Sequence, residues 1–111
     1  MRSEQRLRRS SQFAAVFSEG KSRATETVVL KAVPNGLDFS RFGFIVSKKV
    51  SRKAVVRNKV RRRLREVVRL AMVRPGWDVV VIARPKAGGA SYSDIESALI
   101  GLLNRVGLLG E

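Results

Sequence analysis

From Arg57 to Met72 the apolar residues Val60, Leu64, Val67, Val68 and Ala71 recur at i, i+4, i+7, i+8 and i+11. This is the period of a helix that buries a single stripe. Asn58, Arg62, Arg65 and Arg69 fall on the opposite face, with Lys59, Arg61 and Arg63 on the flanks. Such a helix must lay its stripe on an apolar layer and turn its cations outward. The chain therefore has to supply a core for it to cover, and solvent or a ligand has to supply the anions.

The charge is concentrated around this helix. Residues 48–74 hold twelve of the 23 Lys and Arg and only Glu66 among the acids, so +11 of the formal net +14 lies in this segment. A solvated helix face normally mixes signs, whereas i, i+4 pairs such as Arg57/Arg61 and Arg61/Arg65 repel each other. Phosphate is the natural missing counter-charge. Arginine outnumbers lysine on the helix, and its planar fork takes two phosphate oxygens at once, which favours structured nucleic acid. A membrane surface is a weaker rival, because the stripe is aliphatic and lacks the Trp and Phe of interfacial helices. Duplex DNA is weaker too, since no helix-turn-helix spacing precedes the basic helix.

The remaining segments supply the core. RSSQFAAVFSEGK reads as a short helix with Ser10 or Ser11 as N-cap, Phe13, Val16 and Phe17 on one face, and Gly20 at its end. TETVVLKAV and RFGFIVS read as strands flanking the Pro34-Asn35-Gly36 turn, and antiparallel pairing of the two is the simplest expectation. Pro75 and Gly76 end the basic helix, WDVVVIA follows as a buried-type strand, and PKAGGAS is a loop. A last helix begins near Ser91 or Ser93, where SDIE suits a capping box, and carries Ile95, Ala98, Leu99, Leu102, Leu103 and Val106 on one face. The order is helix, strand, strand, helix, strand, helix, an α+β layer with helices on a sheet.

With 111 residues, 44% of them apolar, and three prolines, the chain has the makings of one folded domain spanning 1–111, loose before Leu7 and after Leu108. It has no cysteine and no histidine, which removes disulfides, cysteine-based zinc sites and the commonest general base. The nine acids are scattered, and Asp94 and Glu96, the only close pair, point to different sides of a helix. A self-sufficient active site is not expected. Neither a signal-peptide run nor a membrane-length apolar stretch is present, so the expectation is a soluble, cytoplasmic protein with no membrane partner.

The stretch KKVSRKAVVRNKVRRRLRE resembles the signature of the bacterial ribonuclease P protein subunit, its basic Arg-Asn-Arg helix. The similarity runs from Arg8 to about Leu109 through FAAVFSEGKS, FGFIVSKKV, WDVVVIARP and SYSDIESALIGLL, in matching order and spacing. It implies a small α/β sandwich like the second domain of ribosomal protein S5. Helices would pack on a mostly antiparallel four-stranded sheet with a left-handed βαβ crossover around the basic helix. Periodicity alone shows three strands, and the usual handedness rule points the other way.

The resemblance also implies a division of labour in which the RNA subunit hydrolyses precursor tRNA with bound Mg²⁺. The protein binds that RNA and the 5′ leader, with no metal of its own and no obligate protein partner. Arg57, Asn58, Lys59, Arg61, Arg62 and Arg65 match the family's basic helix, and Lys48, Lys49, Arg52 and Lys53 match the loop leading into it. Phe13 and Phe17 match first-helix aromatics of the leader cleft, where Lys31, Phe44 and Val46 are the expected sheet-side neighbours. Lys59 stands where arginine is common, and Lys31 where an aromatic is common. Without the resemblance, two phenylalanines four apart read more simply as core anchors. The alternative function is a structural RNA-binding protein of ribosomal type.

Overall fold

A computed structural model describes residues 5–110. Along the chain run α1 (Ser10–Glu19), β1 (Lys21–Ala24), β2 (Val28–Pro34), β3 (Arg41–Ile45), α2 (Ala54–Ala71), β4 (Trp77–Ala83), a 3₁₀ turn (Pro85–Gly89) and α3 (Tyr92–Arg105). The four strands form one mixed sheet in the order β1-β2-β4-β3. β1–β2 and β2–β4 are antiparallel, and β3–β4 is parallel.

The direct pairing of β2 with β3 expected from the Pro34-Asn35-Gly36 turn does not occur, because β4 lies between them. Asp78 to Val81 is buried on both faces, so β4 demands the central place. Parallel neighbours cannot be joined by a tight turn, and α2 provides the crossover. The fourth strand, β1, gives no periodic signal: it is a short edge whose four residues are all exposed.

One face of the sheet carries the main core. Val28, Leu30 and Ala32 of β2, Phe42 of β3, and Val79, Val81 and Ala83 of β4 meet Val60, Leu64, Val67 and Val68 of α2. Ile95, Leu99, Leu102 and Leu103 of α3 complete this layer. The opposite face is partly covered by α1, where Leu7, Val16 and Val80 are buried beside Phe13, Val33, Ile45 and Ile82.

Helix ends differ in detail from the capping expectations. The N-cap of α1 is Arg9 instead of Ser10 or Ser11, because Gln12 Oε1 reaches back to accept the N–H of Arg8 at 3.0 Å and of Arg9 at 3.2 Å. Gly20 does close the helix, donating its N–H to Val16 at 2.9 Å. α2 stops at Ala71, ahead of Pro75, with Met72 in the left-handed conformation at φ 53°. The α3 capping box joins Ser91 and Asp94, two residues before the Ser93–Glu96 box that SDIE would form. Near the chain ends Arg6 bridges Phe42 and Leu109 bridges Val73, while residues 1–4 and 111 lie outside the described part.

One buried charge holds the start of β3 to β4. Asp78 accepts from Arg41 Nε at 2.8 Å, from Arg41 Nη2 at 2.7 Å and from Asn35 Nδ2 at 2.9 Å. The hydrogen bond to Asp78 raises the Arg41 pKa above its ordinary value. Asn35 also donates to the Phe39 carbonyl and accepts from Leu37 N–H, so the same cluster fixes the turn between β2 and β3. Arg41→Met leaves the carboxylate buried with only the amide as partner. It should lower unfolding free energy by about 3 kcal/mol or more in denaturant titrations, whereas Arg62→Ala on the outer face of α2 should change it by less than about 0.5 kcal/mol.

Candidate nucleic-acid interface

The basic surface begins in the loop between β3 and α2. Val50 is buried, and Ser47 and Ser51 accept the backbone N–H groups of Lys49 and Lys53 at 3.3 and 3.1 Å. Arg57 Nη1 reaches back from the helix to the carbonyls of Ser51 at 3.0 Å and Arg52 at 2.9 Å. The loop is thereby pinned while Lys48, Lys49, Arg52 and Lys53 remain exposed, the first three lining a shallow concavity. Arg57, assigned to RNA contact from sequence, thus has a structural task as well.

On α2 the acids do not neutralise this surface. Glu66 takes Arg69 in a two-bonded i, i+3 pair at 3.0 and 2.8 Å, which lowers the Glu66 pKa and removes Arg69 from the free cations. Asp78 is buried with Arg41, Glu26 meets Lys86, and Asp94 caps α3. Arg63 donates to the Ala90 carbonyl at 3.0 Å and Arg61 to Asn58 Oδ1 at 2.8 Å, which places Asn58 as an orienting group. Lys59 and Arg62 are exposed and meet no acid among the described residues. Arg65 is half-buried, its guanidinium 5.9 Å from the centre of the Phe44 ring.

A second surface lies around α1. Phe17 is 44% exposed, with Lys31 Nζ 5.8 Å from its ring centre, so it is outside the core. Phe13 is half-buried against Leu7, Val16 and Val80. Its ring lies on Gly43, where an added Cβ would stand 2.5 Å from Cε1 and 2.6 Å from Cζ. Phe13 therefore anchors α1, while Phe17 is free to meet a ligand.

Phe44 and Val46 do not join this face. Both pack on the main core beneath α2, Val46 buried and Phe44 at its edge. Strand alternation puts them with Phe42, and it puts Ile45 on the α1 side instead. On the sheet face that carries Lys31, two residues along β2, Val29 stands in one register row with Ile82 of β4 and Ile45 of β3. These three were missed from sequence. The signal existed, since Val29 shares the parity of Lys31, but alternation cannot tell which face a strand turns to which helix.

A three-helix, four-stranded mixed α+β domain with a strongly cationic crossover helix beside an aromatic-edged sheet face defines a class of small basic proteins. The chain belongs to the ribonuclease P family, whose model matches residues 1–107. It is 40% identical to the ribonuclease P protein component of Alkaliphilus oremlandii, over 98% of this chain and 96% of that one. Identity is also 40% to the one from Dehalococcoides mccartyi, over 100% and 92%. Among solved structures, the Staphylococcus aureus RNase P protein superposes with a TM-score of 0.85 at 29% identity, covering 96% of this chain and 98% of that one. The RNase P protein of Thermotoga maritima gives 0.81 at 37%, covering 90% and 96%. Among the described residues no helix is long and apolar enough to cross a membrane, and no cluster of three or more acids is placed to hold a metal ion.

So dense a charge should make the folded state responsive to small anions. At about ten times its Kd, a bound phosphate stabilises by about 1.4 kcal/mol through mass action, several degrees in Tm for a domain of this size. We expect inorganic phosphate to raise Tm above chloride at matched ionic strength, and the increment to shrink in a Lys59→Ala/Arg62→Ala variant. Equal melting in both salts would mean that the basic face is not an anion site.

Proposed function

We propose that this chain is the protein subunit of ribonuclease P. In this reading it binds the catalytic RNA through the 48–53 loop and α2, and it holds the 5′ leader of precursor tRNA against α1 and the adjoining sheet. Removal of the leader gives the mature tRNA 5′ end. The observation that carries the proposal is the placement of two different surfaces on one rigid body: unpaired cations on the crossover helix, and an exposed Phe17 with Lys31 across the sheet from it.

The two surfaces suit different parts of a ribonucleoprotein. Lys48, Lys49, Arg52, Lys53, Lys59 and Arg62 are exposed and can meet a folded phosphate backbone, with Arg61 oriented by Asn58. Beside α1, a base can stack on Phe17 while Lys31 takes a phosphate, and the Val29–Ile82–Ile45 row offers an apolar floor. Such contacts position a single strand without strongly reading its sequence. Hydrolysis belongs in this account to the RNA subunit and the Mg²⁺ it holds. The absence of His and Cys from the chain and the engagement of Asp78, Glu66 and Asp94 in structural pairs and a cap support that division. The protein's share is orientation and charge neutralisation.

Binding to a bacterial ribonuclease P RNA should fall by about 10³ to 10⁵ between 50 and 200 mM salt if roughly six to ten phosphates are neutralised. A nearly flat salt dependence would rule out the basic helix as the main contact.

Phe17→Ala should lower Tm by no more than a few °C, because the ring is exposed and belongs to neither core cluster. It should weaken holoenzyme binding to precursor tRNA carrying a leader by about 1–3 kcal/mol, with little effect on mature tRNA. Equal losses for both tRNAs would remove the leader from this face.

A further inference from the structure

We propose that the notch where α1, the free edge of β3 and α2 meet is a pocket for a single RNA base, separate from the leader surface beside Phe17. The inference rests on the RNA-binding reading above and adds a specific contact to it. The notch has a volume of about 170 Å³ and is lined by Arg6, Leu7, Phe13, Gly43, Phe44, Arg61 and Arg65 around Phe42. That is well under the roughly 300–1,000 Å³ of pockets for free small molecules, so it suits one base delivered by a chain better than a free cofactor.

Its recognition chemistry comes from an interrupted strand pairing. Residues 5–7 run along the outer edge of β3, where Arg6 bridges Phe42 and the Leu7 N–H donates to the Phe42 carbonyl at 2.9 Å. Continued pairing would bring the next residues to Phe44. Instead Arg8 and Arg9 turn their N–H groups to Gln12 Oε1 and the chain enters α1. Phe42 directs its carbonyl away from β4, and by the two-residue period Phe44 directs its own N–H and C=O the same way. β4 is the one strand beside β3 in the sheet, and the outer bridge is made at Phe42, so these two groups have no strand partner among the described residues. An open donor and acceptor side by side are what the hydrogen-bonding edge of a base requires.

The walls fit the rest of a nucleotide. Phe44 offers a ring beside which the Arg65 guanidinium already stands at 5.9 Å. Arg61 is held by Asn58 at 2.8 Å, and Arg6 is exposed at the rim. Three arginines and no acid line the notch, which favours a phosphate-bearing occupant over a protein side chain. Gly43 leaves the space that a Cβ would fill to the Phe13 ring. A base entering here would bond to the strand edge and take the place over the Phe44 ring that the Arg65 guanidinium now holds, with Arg65 moving outward to join Arg61 on the phosphates.

The test uses the isotopically labelled full chain and the four nucleoside 5′-monophosphates, with ribose 5-phosphate and inorganic phosphate as controls at equal ionic strength. All are titrated until the Arg61 and Arg65 side-chain signals saturate. At least one nucleotide should shift the Phe44 and Ile45 backbone amides, and the two controls should move only the arginines. Phe44→Leu, which keeps an apolar residue on the core, should abolish the amide response. It should also weaken binding to a bacterial ribonuclease P RNA by about tenfold with an unchanged salt slope. If all four nucleotides reproduce the ribose 5-phosphate pattern on the wild-type chain, the notch holds phosphate alone and the proposal is wrong, whether or not the variant folds. The function proposed above fails separately, through absent salt-dependent binding of the wild-type chain to that RNA.

Discussion

The burial of one aliphatic stripe on α2 is the interaction on which the rest depends. Val60, Leu64, Val67 and Val68 are almost wholly removed from water against the sheet and α3. At about 1.5–3 kcal/mol each, these four side chains contribute on the order of 6–12 kcal/mol. Repulsion along the Arg57–Arg61–Arg65 row costs only a few tenths of a kcal/mol per pair in a solvated helix. Burial therefore wins by a wide margin, and the helix can display one sign of charge without an acid partner for each cation.

The topology turns that helix into a fixed platform. Because β4 is the central strand and runs parallel to β3, the connection between them must cross the sheet, and α2 is that crossover. The loop entering it is fastened by Val50, by Ser47 and Ser51, and by the grip of Arg57 on two carbonyls. Its cations consequently project from a fastened backbone, which in the proposed role would lower the ordering cost of meeting a rigid RNA. The α1 face is anchored independently, by Phe13 on Gly43 and Val16 on the sheet.

Much of this was legible in the sequence, wherever one face of an element is buried. The α2 and α3 stripes coincide with the buried residues, and the β4 run marks a strand buried on both sides. What escaped has physical reasons. β1 has no apolar alternation because it is an exposed edge. The separation of β2 from β3 depends on a long-range preference of β4 for the centre, which no local turn signal encodes. The resemblance puts Phe44 and Val46 in the leader cleft with Phe13 and Phe17, yet they share the parity of Phe42, which sends them to the other core. Charge density marked the basic face of α2 in the sequence, whereas the open β3 edge beside Phe44 depends on residues 5–7 leaving that edge, which no sequence pattern encodes.

The central claim is that this chain is an RNA-positioning subunit whose partner performs the chemistry. It is tested most directly by reconstitution at low Mg²⁺, with a bacterial ribonuclease P RNA, a precursor tRNA and the protein rigorously freed of nucleic acid. The account predicts that the RNA alone is slow, that the protein alone cuts nothing, and that the two together release the 5′ leader rapidly. Cleavage by the protein alone, or no gain on adding it to the RNA, would contradict the account.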